Sequence, residues 1–148
     1  VIFADLAAGR MRDWEFRWEE LLNFNGRTGP YLQYTYARLG SVLRKYGATQ
    51  PQDFDPAALT DGETQGVLRS LGLFPAVVSA ACAQHEPSVV SRYLLDLAEA
   101  LNTFYNAHRI IDAEQPETTQ ARIALTAAVH QVLGNGLRLL GLPLVERM

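Results

Sequence analysis

Apolar side chains recur every three to four positions through four long stretches of this chain, and in no stretch do they alternate for the length of a strand. A backbone patterned in this way buries its apolar stripes by packing helix on helix, so the fold class is all-α, a helical bundle. At 148 residues the chain has the size of one domain. Residues 1–26 are the least regular part and read as a junction: Val1 to Leu6 could finish a helix, while Trp14, Phe16 and Trp18 alternate as a short extended piece would, with Trp14 and Trp18 as packing anchors. Residues 27–148 are the bundle itself. Its first helix starts at Pro30, which tolerates the first turn because it has no N–H to satisfy, with Thr28 as cap, and it stops at Gly47 after Tyr46.

Ala48 to Gly62 holds two prolines and few apolar anchors, and is expected to be a long surface loop outside the core. Glu63 to Gln84 is helical, but Pro75 should split it in two. A third helix follows Glu86-Pro87-Ser88 and should run to about Asp112; a fourth runs from Pro116 to about Leu140, ended by Gly141 and Pro143. This last helix is apolar nearly all round and belongs at the centre, where Gly134-Asn135-Gly136 allows close packing. The same glycines are no phosphate loop, since no strand precedes them and no Lys-Ser/Thr follows.

Thirteen basic against 16 acidic residues give a net charge of −3, which excludes the strongly basic balance of many nucleic-acid-binding domains. Any polyanion must be met locally. A single cysteine, Cys82, is expected in the core and points to a reducing, cytoplasmic setting; with His85, His108 and His130 it offers no zinc spacing. The apolar runs are interrupted before the ~20 residues a bilayer span needs, so a soluble domain with no membrane partner is expected. Val1 stands where a Met would begin a chain, with no leader pattern after it, which suggests truncation upstream. Asp13, Glu15, Glu19 and Glu20 read as a solvated acidic face without a second cluster to make a catalytic pair.

Helical projection gives the Pro30 helix a core stripe of Leu32, Tyr36, Leu39, Leu43 and Tyr46. The opposite side gathers Tyr34, Arg38, Ser41 and Lys45, with Tyr31 at its margin. Aromatic faces stack on unpaired bases and cations meet phosphates, so this face is a candidate single-stranded RNA site; a solvated face that happens to carry two tyrosines is the bland alternative. On the third helix, Val90, Tyr93, Leu94, Leu97, Leu101, Phe104, His108 and Ile111 form the core stripe, with His108 as a core histidine satisfied by a backbone group. Tyr105 lies at the stripe's edge with Arg109 one turn on, a pair that can cap the core or read a base.

Gly26-Arg27-Thr28-Gly29-Pro30-Tyr31-Leu32-Gln33-Tyr34-Thr35-Tyr36-Ala37-Arg38 closely resembles a specific element of the arginyl-tRNA synthetases. Leu101-Asn102-Thr103-Phe104-Tyr105-Asn106, Val132-Leu133-Gly134-Asn135-Gly136-Leu137-Arg138 and the ending Pro143-Leu144-Val145-Glu146-Arg147-Met148 resemble that family's later helices and carboxyl terminus, in order. The resemblance implies the C-terminal DALR-type anticodon-binding domain, which grips the anticodon stem-loop of tRNA(Arg), acting as a monomer with a catalytic domain in cis that is absent here. It implies a binding role for Tyr31, Tyr34, Arg38, Tyr105 and Met148; on physical grounds Arg38, Lys45 and Arg44 are expected to neutralise stem phosphates. Arg109 departs from an aromatic present in some relatives, leaving it a phosphate or cation–π contact. ATP and Mg2+ belong, by the same resemblance, to the parent enzyme; the fragment itself needs no cofactor, holds no metal and is non-catalytic, since it carries neither HIGH- nor KMSKS-like signatures. A stand-alone helical module that docks a protein partner is the alternative.

Overall fold

The computed structural model describes residues 2–9, 17–21, 23, 26–47, 51 and 53–147; Trp14, Phe16 and Met148, singled out above, lie outside them. Among the described residues the helices are α1 (Ile2–Ala7), α2 (Trp18–Leu21), α3 (Gly29–Tyr46), α4 (Gly62–Gln84), α5 (Ser88–Ala107) and α6 (Pro116–Leu139), with a 3-10 turn at Pro56–Leu59 before α4. No strand occurs among the described residues.

Helix α3 forms where local chemistry demands it. The Thr28 side chain accepts a hydrogen bond from the Tyr31 N–H at 3.3 Å, Pro30 fills the first turn, and Gly47 ends the helix. Leu32, Tyr36 and Leu39 are buried, and Leu43 and Tyr46 pack against the core from its edge. Helix α6 lies at the centre, with Ile123, Val129, Leu133 and Leu137 fully enclosed; α3 and α5 flank it, contributing Leu32 and Leu39 on one side and Leu94, Leu97, Leu101 and Phe104 on the other. Each such side chain stabilises the fold by roughly 1.5–3 kcal/mol through its removal from water. Past α6 the chain turns sharply at Gly141, whose φ of 69° suits a residue without Cβ, and the Leu142 N–H closes on the Leu137 carbonyl at 2.9 Å.

Several local expectations give way to tertiary contacts. Pro75 does not split α4, which runs unbroken from Gly62 to Gln84. Pro75 is exposed, so water can satisfy the carbonyl that loses its N–H partner. Helix α4 buries only Thr64 and Val67, while Leu73 is 56% exposed; by length and composition it is apolar enough to cross a bilayer, contrary to the expectation of broken runs. Cys82 rides the open side of α4 and is exposed, not part of the core. The segment before α4 is not merely surface loop, because Leu59 of the 3-10 turn is 5% exposed and the turn packs on α6.

Helix α5 ends at Ala107, five residues early, with His108 extended at φ −130° and ψ 137°. His108 is drawn out of helical geometry by side-chain partners on other elements, described below. The residues at the start also differ from expectation: Trp18 opens α2 and is 62% exposed, neither extended nor a buried anchor. Helix α1 completes the expected helix end and packs on α5, its Phe3 joining the same core.

Two glycines set how closely α6 is approached. A Cβ on Gly136 would stand 2.4 Å and 2.8 Å from the two methyls of Leu94 and 3.0 Å from its Cγ; on Gly134 it would stand 3.1 Å from the Tyr36 ring. Leu94 is completely buried in the core. Gly136→Ala should therefore destabilise the bundle by about 1–3 kcal/mol, the cost of overpacking a filled core, seen as a lower urea midpoint with an unchanged slope. A variant as stable as the parent would show that the α5–α6 contact is loose.

Candidate nucleic-acid interface

The outward face of α3 carries Tyr34, Arg38, Ser41, Arg44 and Lys45 on successive turns, because the core claims the stripe from Leu32 to Tyr46. Tyr34 is 44% exposed. Residues 142–147, after α6, run back across this face. The Gln33 amide donates to the Pro143 carbonyl at 3.0 Å, and Arg44 Nη2 donates to the Glu146 carbonyl at 2.9 Å and to the Ser41 hydroxyl at 2.8 Å. Between helix and tail lies a groove of about 500 Å³ lined by Tyr34, Ala37, Arg38, Ser41, Arg44 and Arg147. Three guanidinium groups and a phenol line it, with no carboxylate among the described lining residues.

Arg38 also reaches α5: its guanidinium carbon lies 3.9 Å from the centre of the Tyr105 ring, a cation–π contact. Sequence spacing pairs Tyr105 with Arg109, but the partner in space is Arg38. Arg109 lies beyond the end of α5, exposed and outside the groove; its carbonyl accepts from Arg122 Nη1 at 2.9 Å. Lys45 is exposed near the end of α3, also outside the groove lining. Met148 is not described, although its neighbour Arg147 is part of the groove wall. The sequence analysis missed Arg147 and the tail-gripping role of Gln33 and Arg44; the position of Arg147 beside the singled-out terminus was the available signal.

Tyr31 is tied into the bundle, since Asn102 Nδ2 of α5 donates to its hydroxyl. Burial raises its pKa above the ordinary phenol value, and the charge of Glu99 adds to the rise. Next to it Arg27 forms ion pairs with Asp96, at 2.7 Å, and with Glu99, both on α5. The hydrogen bond to Asp96 leads the causes that raise the Arg27 pKa. Arg27 is thus neutralised by its neighbours while the groove arginines face open space. Under the groove His130 stacks on Tyr36 with ring centres 4.0 Å apart. Burial, and then the charge of Arg44, lowers its pKa, so near neutral pH it adds no positive charge of its own.

A second cluster joins α4, α5 and α6 away from the groove. Asp61 caps α4, its Oδ1 accepting from the Thr64 N–H at 2.8 Å and its Oδ2 from the Thr64 hydroxyl at 2.7 Å. His108 Nε2 lies 2.9 Å from Asp61 Oδ1, and Arg122 Nη2 lies 3.1 Å from His108 Nδ1. Side chains, not a backbone group, therefore satisfy His108. Asp61, Glu63 and His108 bring potential ligand atoms within 4.8 Å of one another, so they could be read as a cation site. Arg122 argues otherwise: a guanidinium only donates, so Nδ1 must accept and Nε2 must carry the proton, leaving no lone pair there for a metal. The cluster is a hydrogen-bond relay that fastens the end of α5 to its neighbours.

Comparison with known proteins matches residues 32–148 to the family described as the DALR anticodon binding domain. The whole chain is 40% identical to a segment of the arginine–tRNA ligase of Alkaliphilus metalliredigens and 43% identical to one of Clostridioides difficile. It spans 26% of the length of each. Among solved structures, the arginyl-tRNA synthetase of Thermus thermophilus matches with a TM-score of 0.89 and 33% identity over 99% of this chain and 26% of that one. The synthetase of Plasmodium falciparum, at 23% identity and a TM-score of 0.87, shares the fold.

The relay has a pH signature. Burial alone would raise the Asp61 pKa, but the Thr64 and His108 hydrogen bonds outweigh it and hold the carboxyl at about 2. A carboxyl depressed on folding contributes stability that is complete above its unfolded value of about 3.9 and is lost as pH falls through the folded value. Asp61→Asn, which keeps a capping oxygen but not the charge, should be less stable than the parent above about pH 4, with the gap closing toward about pH 2. Urea titrations across that range check this; a gap that does not change with pH would place the stabilisation outside the charge.

Proposed function

From the premise that this chain belongs to the DALR anticodon-binding domain family, we propose that it binds the anticodon stem-loop of tRNA(Arg) as the RNA-reading part of an arginine–tRNA ligase. The observation that carries this reading is the groove in which Tyr34, Arg38, Arg44 and Arg147 converge, in a chain whose net charge is −3. Concentrated cations beside an exposed ring suit a ligand that is both anionic and flat. An unpaired nucleotide loop is such a ligand.

In this mechanism the loop bases leave their own stack and meet the chain's aromatic and guanidinium faces. Tyr34 offers a ring directly. Arg38, held over the Tyr105 ring, also lines the groove and offers its guanidinium to another base, each such contact contributing ~1–3 kcal/mol. Tyr31 acts less as a platform than as a brace between α3 and α5, through Asn102. Lys45, at the end of α3, and Arg109 beyond α5 meet flanking phosphates, while Met148 packs on a base. Arginine activation with ATP and Mg2+ falls to a catalytic domain joined in cis, in a monomeric cytoplasmic enzyme.

A second reading, a helical module that docks a protein, draws on the exposed apolar side of α4. The two separate by filter-binding titration of a tRNA(Arg) transcript against one with an altered anticodon, each at two salt concentrations. The RNA reading expects preference for the cognate anticodon, weaker binding at high salt, and a loss of about tenfold in Tyr34→Ala. Deleting Met148 should weaken cognate binding without moving the melting temperature. Indifference to the anticodon would count against recognition, and no salt-dependent binding at all would favour the protein-docking module.

A further inference from the structure

Two arginines that look alike in the sequence meet the groove differently. Arg44 commits one end of its guanidinium to the tail, donating from Nη2 to the Glu146 carbonyl and the Ser41 hydroxyl. Gly40 makes room for it: a Cβ there would stand 3.2 Å from Arg44 Nη1. Gln33, three turns earlier on the same face, holds the Pro143 carbonyl. The tail also packs Leu142 and Leu144 against the core, so its path is fixed at four points. Arg147 follows directly. It is exposed, it lines the groove together with Arg38, and it makes no hydrogen bond or ion pair with any described residue.

We propose that Arg147 is an RNA-binding residue that meets a loop phosphate, and that Arg44 and Gln33 are positioning residues that place it by gripping the carbonyls of the C-terminal tail. The proposal rests on the RNA reading given above. A guanidinium that no described residue engages, lining a groove with no carboxylate among its described lining residues, is matched by a phosphate, which accepts two parallel hydrogen bonds from it. One whose donors are held by a carbonyl and a hydroxyl is not. Arg44 therefore contributes through geometry, and its charge is secondary.

The test uses a synthetic hairpin with the arginine anticodon loop, titrated by fluorescence anisotropy at several salt concentrations, together with hydrogen exchange of residues 142–147 in the absence of RNA. Arg147→Ala should weaken binding about tenfold and lower the slope of log affinity against log salt by about one phosphate contact, with exchange in the tail unchanged. Arg44→Ala and Gln33→Ala should each speed exchange in the tail. The Arg44→Ala, Arg147→Ala double variant should bind no more weakly than the worse single one, because both act on the same contact. Unchanged affinity in Arg147→Ala overturns its binding role. Additive losses, or unchanged exchange in Arg44→Ala, overturn the positioning role. A parent chain that binds no hairpin overturns the RNA reading and the role of Arg147 with it, while the grip on the tail is judged separately by exchange.

Discussion

Helix α6 can lie at the centre of the bundle only because Gly134 and Gly136 let its backbone come within side-chain reach of Tyr36 on α3 and Leu94 on α5. Any Cβ at Gly136 would occupy space that Leu94 already fills, so the spacing of α5 from α6 is set by contact and not by a compressible layer. From that spacing the rest follows. With both flanking helices drawn in, Arg38 on α3 is brought over the ring of Tyr105 on α5, and the chain leaving α6 at Gly141 is delivered onto the outer face of α3. The groove is thus a by-product of tight packing at its back.

The charge distribution shows why a composition average hides such a site. Arg27 is matched by Asp96 and Glu99 on α5, and Arg122 is engaged with His108 and the Arg109 carbonyl. These cations hold elements together. Arg38, Arg44 and Arg147 instead share one open concavity. A net charge of −3 is compatible with a locally positive groove, and the acidic remainder of the surface discourages polyanions from binding elsewhere.

How much of this was legible in the sequence depended on the range of the interactions responsible. Helix α3 was fully legible because its cap, proline and terminal glycine act within a few residues, and Tyr34 and Arg38 share its outer face by simple periodicity. The central place of α6 followed from its nearly continuous apolar circumference. The end of α5 was not legible, since His108 leaves the helix to reach Asp61 and Arg122, residues 47 and 14 positions away. Nor was the exposure of Cys82 and Leu73: apolar composition alone does not reveal that α4 lies at the outside of the bundle. The pairing of Arg38 with Tyr105 and the return of the tail over α3 join segments that no local rule connects.

The contact between Phe3 and Gly29 bears on more than the core. A Cβ on Gly29 would lie 2.9 Å from the Cβ of Phe3, so α1 sits directly against the first turn of α3, just ahead of Tyr31 and Tyr34. Helix α1 also packs on α5, which carries Tyr105. Its bearing is therefore set against both helices that carry the aromatic residues of the groove. A shift of α3 against α5 would therefore disturb the seat of α1, which rests on both.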